Sequence, residues 1–370
     1  MSLTIDCSFP GGNIILEKIE DDNVYIHQDL RDTEGDWFYW YFRVQGATGR
    51  SLRFHFTGSN VIGTRGPGVS EDGGHTWYWL GADRVQNQSF EFTFGKDAKD
   101  IRFSFGMPYL QDKLDLFLNR YKNHPHLKIE SLCQTPKGRN VELLRLGSLD
   151  KQATHRVIIT ARHHCCEMMQ SYVLEGVMAS ILADNKLGQW FQSHTECIII
   201  PFADKEGIED GDQGKNRKPR DHNRDYNNES IYAETQAIRE QIPKWQPTVA
   251  IDFHCPHIRG TTNEMIYQVG LEPETLWKEQ CHFSTFLEQT KTFNYQASDN
   301  MPFGQGWNTQ DNYGAGKSFA RWAGDLPSTR LASSLEFPYA NVKEQDITAD
   351  NAREFGQDFA TALQAYLETE

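Results

Sequence analysis

The chain has 370 residues, 38% hydrophobic and 24% charged, which is enough for about two domains with substantial cores and too apolar for a disordered protein. A formal net charge of -14 argues against nucleic acid or an anionic membrane surface as partner, because both need clustered cations. Seven cysteines, odd in number and scattered apart from Cys165-Cys166, fit a reducing cytoplasm better than a disulfide framework, and neither an export signal nor a membrane-spanning apolar stretch is expected.

Residues 1–115 are expected to form an all-β antiparallel sandwich domain. Leu52, Phe54 and Phe56 alternate with Arg53 and His55, and Phe90, Phe92 and Phe94 alternate with Glu91 and Thr93. Ile101, Phe103 and Phe105 keep the same period of two, with turn residues such as Gly46, Gly49, Gly58 and Gly95 between the runs. The run Trp37-Phe38-Tyr39-Trp40-Tyr41-Phe42 is aromatic on both faces, which suits either a strand buried on both sides or a surface that stacks on carbohydrate or peptide. A helix over Gln111 to Asn123, broken by Asn123-His124-Pro125, places a linker at 116–126.

Residues 127–370 then alternate strand and helix. A hairpin is expected around Pro136-Lys137-Gly138, then a strand ending at Arg162, a helix from about Met168 to Asp184, and the strand Cys197 to Pro201. A helix around Ile231 to Gln241, strands ending at Phe253 and Val269, a helix near Gln280 to Gln289, a strand before Glu336 and a helix from about Asn351 to Leu367 follow. That order specifies an α/β domain with a mixed, mostly parallel sheet covered by helices on both faces. Asp204 to Asn228, nearly devoid of apolar residues, reads as a solvated loop that carries cations toward the strand ends.

Three strand ends deliver metal-ligand chemistry. His164 and Glu167 stand three apart after an apolar strand, so both can face one ion from a single turn, while His254 and Glu336 end two further strand-like runs. Two imidazoles and one carboxylate, with a fourth position for water, suit a catalytic zinc, and Glu336 is then free to act as a base. His163, four residues from Glu167, could in principle replace His164, but adjacent residues on a turn face different ways, so only one of the two should reach the ion; as isolated histidines, His163, His222 and His257 are expected to be hydrogen-bonded core or surface groups.

In this order the motifs resemble the zinc carboxypeptidase family, carboxypeptidase A-like, and more closely its cytosolic carboxypeptidase branch. The elements are H-x-x-E at His164 and Glu167, D-x-N-R at Asp221, Asn223 and Arg224, D-x-H at Asp252 and His254, and Ser334-Leu335-Glu336; the segment His254 to Arg259 also looks like that branch's pattern. The resemblance implies a cytoplasmic metallocarboxypeptidase that removes the C-terminal residue of peptides or proteins. One Zn2+ would be held by His164, Glu167 and His254, with Glu336 as general base. It further implies that Asp221 orients His164, that Asn223 and Arg224 clamp the substrate carboxylate, and that Arg217 stabilises the oxyanion, with Arg220 as its competitor.

Four details are less regular. Cys165-Cys166 replace the branch's usual Pro-Gly, which puts either two packed thiols or an oxidation-sensitive brake beside the metal. Tyr313 is the nearest candidate for the family's mobile capping tyrosine. Lys317 and Arg321 lie in the segment that resembles the specificity pocket, and would select an acidic C-terminal residue. The rival functions are a zinc deacylase or amidase of the succinylglutamate desuccinylase and aspartoacylase type, and a non-catalytic peptide-binding protein. The sequence specifies no oligomeric state.

Overall fold

The structure, a computed structural model, describes residues 2–149, 153–289 and 292–369; Met1 and Glu370, which bound the expected domain ranges, lie outside the described residues. In the N-terminal part the period-two segments become strands of two five-stranded sheets. One holds, in spatial order, Thr4–Asp6, Tyr41–Gln45, Ile101–Ser104, Gly68–Ser70 and Tyr78–Trp79. The other holds Ile15–Glu20, Asn23–His27, Ser51–Phe56, Ser89–Thr93 and Val85–Gln86. Apolar phases turn inward: Leu52, Phe54 and Phe56 are buried while Ser51 and Arg53 are exposed, and Phe54 of one sheet lies 5.3 Å from both Phe42 and Phe103 of the other.

Pairing is not antiparallel throughout, as the alternation alone had suggested. Asn23–His27 and Ser51–Phe56 pair in parallel, because the chain crosses to the other sheet through Tyr41–Gln45 before it returns. The aromatic run also divides. Phe38 through Phe42 are buried, whereas Trp37 is half-buried and precedes the strand.

Past the helix Gln111–Arg120, seven strands form one sheet in the order Leu127–Gln134, Asn140–Gly147, Thr195–Ile200, His155–Ala161, Val249–His254, Leu331–Glu336 and Tyr267–Val269. The four central strands are parallel. The flanking strands attach by antiparallel pairing, so the sheet is parallel only at its centre, the hairpin at Pro136-Lys137-Gly138 reversing the chain on one side.

Alternation along the central strands feeds two cores. Val157, Ile159, Val249, Ile251, Phe253 and Leu331 pack with the helices Met169–Ile181 and Ala349–Leu367. Ile158, Ala250 and Ala332 face Ile238 and Ile242 of Ala233–Trp245 and Phe319 of Phe319–Gly324. Burial on both faces is why these strands read as continuous apolar runs. Three helices among the described residues escaped the sequence reading, Lys186–His194, Lys205–Asp210 and Phe319–Gly324; the first starts where the Asn185 side chain accepts a hydrogen bond from Gly188 N.

Phe38 and Phe105 of the N-terminal part pack on Tyr339, with ring centroids 5.6 and 5.0 Å away, so the first core continues from the β-rich part into the α/β part. The architecture is therefore mixed α/β. Its parallel strands end side by side at the edge where the N-terminal part abuts.

Candidate metal centre

The strand His155–Ala161 ends in a forced turn. Arg162 adopts φ 63°, a left-handed conformation that costs a non-glycine residue about 1 kcal/mol or more. Its buried guanidinium offsets that cost. Nε donates to Cys165 O at 2.9 Å, Nη1 donates to Tyr109 O at 3.0 Å and Ser171 Oγ at 2.9 Å, and Nη2 also reaches Cys165 O. This arginine fastens the 163–167 turn to the following helix. Nothing in the sequence marks it except its place directly before the histidines.

The turn brings His164 and Glu167 to one side, and the strand Val249–His254 adds His254. One ligand atom from each of the three lies within 4.8 Å of the others, and all three side chains are buried. Glu167 stands between the rings, with Oε1 2.8 Å from His164 Nδ1 and Oε2 2.7 Å from His254 Nδ1. The Nδ1 atoms and the carboxylate thus converge on one point. Two imidazole nitrogens and a carboxylate form a donor set suited to a transition metal such as zinc.

Each far ring nitrogen has a carboxylate. His164 Nε2 donates to Asp221 Oδ1 at 3.1 Å and His254 Nε2 donates to Asp252 Oδ2 at 2.6 Å, which leaves both Nδ1 atoms free to ligate. Asp252, part of the D-x-H motif but given no role from sequence, also accepts from Thr160 Oγ1 at 2.7 Å and from His163 Nδ1 at 2.8 Å. Tyr226 OH completes the chain, 2.6 Å from His163 Nε2. His163 is thus a hydrogen-bonded core group, turned away from Glu167.

Electrostatics separate the two glutamates. Burial alone would raise the Glu167 carboxyl, but the charges and hydrogen bonds of His164 and His254 outweigh it and bring it down to about 2. Glu336 is raised to about 7, chiefly by burial and also by the negative charge of Glu167. Its Oε2 is buried without a hydrogen-bond partner among the described residues. A carboxyl poised near neutrality beside a ligand cluster is suited to take and return a proton.

The 204–228 segment is not a solvated loop. It contains the helix Lys205–Asp210 and a short turn at His222–Arg224, and it is pressed against the metal turn. A Cβ on Gly214, which has φ +78°, would stand 2.4 Å from Cys165 N, so only glycine fits. Arg217 lies nine-tenths buried among Asp204 at 2.8 Å, Asp212 at 3.0 Å and Asp32 at 3.4 Å, and Arg220 is paired with Asp225 at 2.7 Å. The cation that faces His164 and Glu336 is instead Lys215, which the sequence reading passed over. It has no ion-pair partner among the described residues.

The other expected residues divide as well. Arg224 lies beside the metal cluster, with Nε donating to Asn312 O at 2.9 Å and Nη1 to Asn223 O at 2.7 Å. Asn223 Oδ1 accepts from Phe319 N at 2.9 Å, and its Nδ2 lies 2.8 Å from His254 Nε2. Tyr313 is held between Arg224 and Arg321, whose guanidinium carbons are 4.9 and 4.3 Å from its ring centroid. Lys317 and Arg321 line a separate cavity with Leu271 and Leu276, and are paired with Asp325 and Glu272. Burial pushes the Cys166 thiol up to about 12 and that of Cys165 well above its usual range, so both pack as neutral thiols and not as low-pKa thiolates.

Two cavities meet at the cluster. A narrow one of about 30 Å³, room for a single water, is lined by His164, Lys215, Asn223, Arg224, Tyr313 and Glu336. A wider one of about 320 Å³ shares His164, Lys215, Trp307 and Glu336 with it and is also lined by Trp37 and Tyr267.

A parallel-centred sheet carrying a two-histidine, one-glutamate cluster at its strand ends defines an α/β protein with a candidate metal centre. No protein-family model matches the chain. Cytosolic carboxypeptidase 6 of Caenorhabditis elegans is 22% identical over 285 residues, 68% of this chain and 62% of that protein. The mouse cytosolic carboxypeptidase 6 is 23% identical over 239 residues, 60% of this chain and 44% of that protein. The chain therefore matches less than two-thirds of those relatives' own length. A metallo-carboxypeptidase from Burkholderia cenocepacia superposes with a TM-score of 0.83 at 18% identity, covering 100% of both chains. A Pseudomonas aeruginosa metallo-carboxypeptidase, solved with (2-guanidinoethylmercapto)succinic acid, gives 0.79 at 17% identity over 99% of both. The chain is thus similar in sequence to cytosolic carboxypeptidases and shares its fold with metallo-carboxypeptidases.

Proposed function

We propose that this protein is a metallocarboxypeptidase that hydrolyses the C-terminal peptide bond of peptides or proteins, with one zinc ion at His164, Glu167 and His254. The observation that carries the reading is the narrow cavity, where Arg224 stands beside the ligand cluster and the unpartnered Glu336. When bound there, the metal supplies Lewis-acid polarisation of a carbonyl and acidifies a water.

The chain's own residues do the rest. Arg224 offers its guanidinium to the terminal carboxylate and so fixes the register of the substrate, while Asn223 braces the turn that carries it. Glu336 accepts the attacking water's proton and returns it to the leaving amine. Lys215, without an ion-pair partner among the described residues and facing the same space, stabilises the negative oxygen of the tetrahedral state; Arg217, enclosed by three carboxylates, holds the loop in place. Asp221 and Asp252 fix the tautomers of His164 and His254.

An acidic terminal residue is the preferred substrate in this reading. Lys215 and Arg224 line the narrow cavity with positive charge, and Arg321, paired with Glu272, stands against the Tyr313 ring behind it. We take 1–115 as a β-sandwich domain, 116–126 as a linker and 127–370 as the catalytic domain.

The test is metal analysis paired with amino-acid release from peptides that differ only in the last residue. Release of Glu faster than Lys or Phe supports the reading in full. Release of Lys or Phe faster removes the acidic preference, and cleavage of N-acyl amino acids without peptide hydrolysis assigns the deacylase activity instead.

A further inference from the structure

The aromatic run at the start of the chain has one member that the core does not absorb. Trp37, half-buried, leaves Phe38 to Phe42 in the interior and reaches the wall of the wide cavity beside the metal ligands. It is fixed there from behind. Its ring stacks on Phe38 at 4.6 Å and meets His257 edge-on at 5.6 Å, and its carbonyl accepts from Gln28 Nε2 at 2.8 Å. Phe38 in turn packs on Phe105 and Tyr339, so the indole is the tip of an aromatic stack rooted in the core.

The two cavities differ in what they can hold. The narrow one contains Arg224 and Asn223, and no aromatic wall from the N-terminal part. The wide one lacks both but presents Trp37, Tyr267, Trp307 and Pro256 around about 320 Å³, near the lower end of ligand pockets, roughly 300–1,000 Å³. A chain whose terminal carboxylate sits at Arg224 and whose last peptide bond lies by Glu336 has to leave through this space. Its penultimate side chain then falls among those aromatic rings.

We infer that the wide cavity is a subsite for an aromatic or large apolar residue on the amino side of the cleaved bond, completed by Trp37 from the N-terminal part. The inference rests on the peptidase reading above and adds a second specificity element to it. It also gives the N-terminal part a direct role in substrate recognition. Burying an aromatic side chain against such a wall favours it over glycine by 1–2 orders of magnitude, the discrimination that apolar pockets commonly reach, about 10–200-fold.

The experiment uses the full zinc-loaded chain and N-blocked tripeptides that share a terminal Glu but carry Phe or Gly before it. In wild type the ratio of kcat/KM for the Phe peptide over the Gly peptide is expected to be about tenfold or more, and in Trp37→Ala it is expected to fall toward one. Trp37→Leu, which keeps more of the packing, covers the case in which Trp37→Ala does not fold, and is expected to reduce the ratio partially. A wild-type ratio near one, or a ratio unchanged by both variants, overturns the subsite. A second arm measures binding of the same peptides to Glu336→Gln protein by calorimetry. Preferential binding of the Phe peptide that depends on Trp37, without amino-acid release by wild type, sinks the peptidase reading and leaves the subsite standing. Equal binding of both peptides sinks the subsite.

Discussion

His254 and Glu336 are register partners across the parallel pair Val249–His254 and Leu331–Glu336, so a ring facing the ligand point and a carboxyl with an unpartnered oxygen stand side by side at one sheet edge. In the proposed function this adjacency separates a group that would hold the metal from one that would move a proton. It also makes their substitutions separable.

Glu336→Gln keeps the shape of the side chain and removes its capacity to accept a proton. We expect kcat to fall by about 10²–10⁴ with zinc content unchanged. Single-turnover release of a terminal amino acid by the variant at the wild-type rate would falsify the base assignment.

Asp252 joins His254 to His163 and Thr160. Asp252→Asn frees the His254 tautomer, and zinc affinity is expected to weaken by about 10–100-fold in competition with a chromogenic chelator. An unchanged zinc affinity would show that Asp252 serves only the buried His163–Tyr226 chain.

Lys215 and Arg217 make opposite predictions. Lys215→Ala is expected to lower kcat by about 10²–10³ and leave the denaturant midpoint near wild type. Arg217→Ala leaves Asp32, Asp204 and Asp212 without their shared cation, and is expected to cost about 3–5 kcal/mol of stability in urea unfolding. The reverse pattern, kcat lost in Arg217→Ala at unchanged stability, returns the oxyanion role to Arg217.

Glu234, which is no candidate ligand, gives a separate pH signature. Burial, reinforced by Asp204 and Glu206, raises this carboxyl from 4.5 to about 7. Between those two values the folded chain keeps a proton that the unfolded chain has released, so stability falls as pH rises from 4.5 through 7. Glu234→Gln is neutral throughout and is expected to stabilise the protein by about 1–3 kcal/mol at pH 8 relative to pH 4.5. Parallel stability profiles for wild type and variant across this range would show that the charge is accommodated.

Much of the fold was legible because burial pattern and periodicity are local. Val157 to Ala161, Val249 to Phe253 and Leu331 to Leu335 read as strands from their apolar content, and their ends deliver His164, His254 and Glu336 together, as a parallel α/β sheet requires. The segment Asp204 to Asn228 misled because its polarity looks solvent-bound. Its charges pair largely with one another, and Asp32 and Arg31 of the N-terminal part take up further polar groups, Asp32 accepting from Gln213 N and Gly214 N and Arg31 donating to Asp212, across 181 or 182 residues of sequence.

The sequence by itself pointed to His164, Glu167, His254 and Glu336 as one group, since motif spacing along strands and turns sets which side chains share a strand end, and these residues do meet at one sheet edge. Only the tertiary structure decided among equal charges. Lys215 and Arg217 differ by two positions in one loop, and Arg217, not Lys215, meets three buried carboxylates because side-chain direction and long-range ion pairing decide it. The same holds for Trp37 beside Phe38, where one aromatic ring is core and its neighbour reaches the cleft.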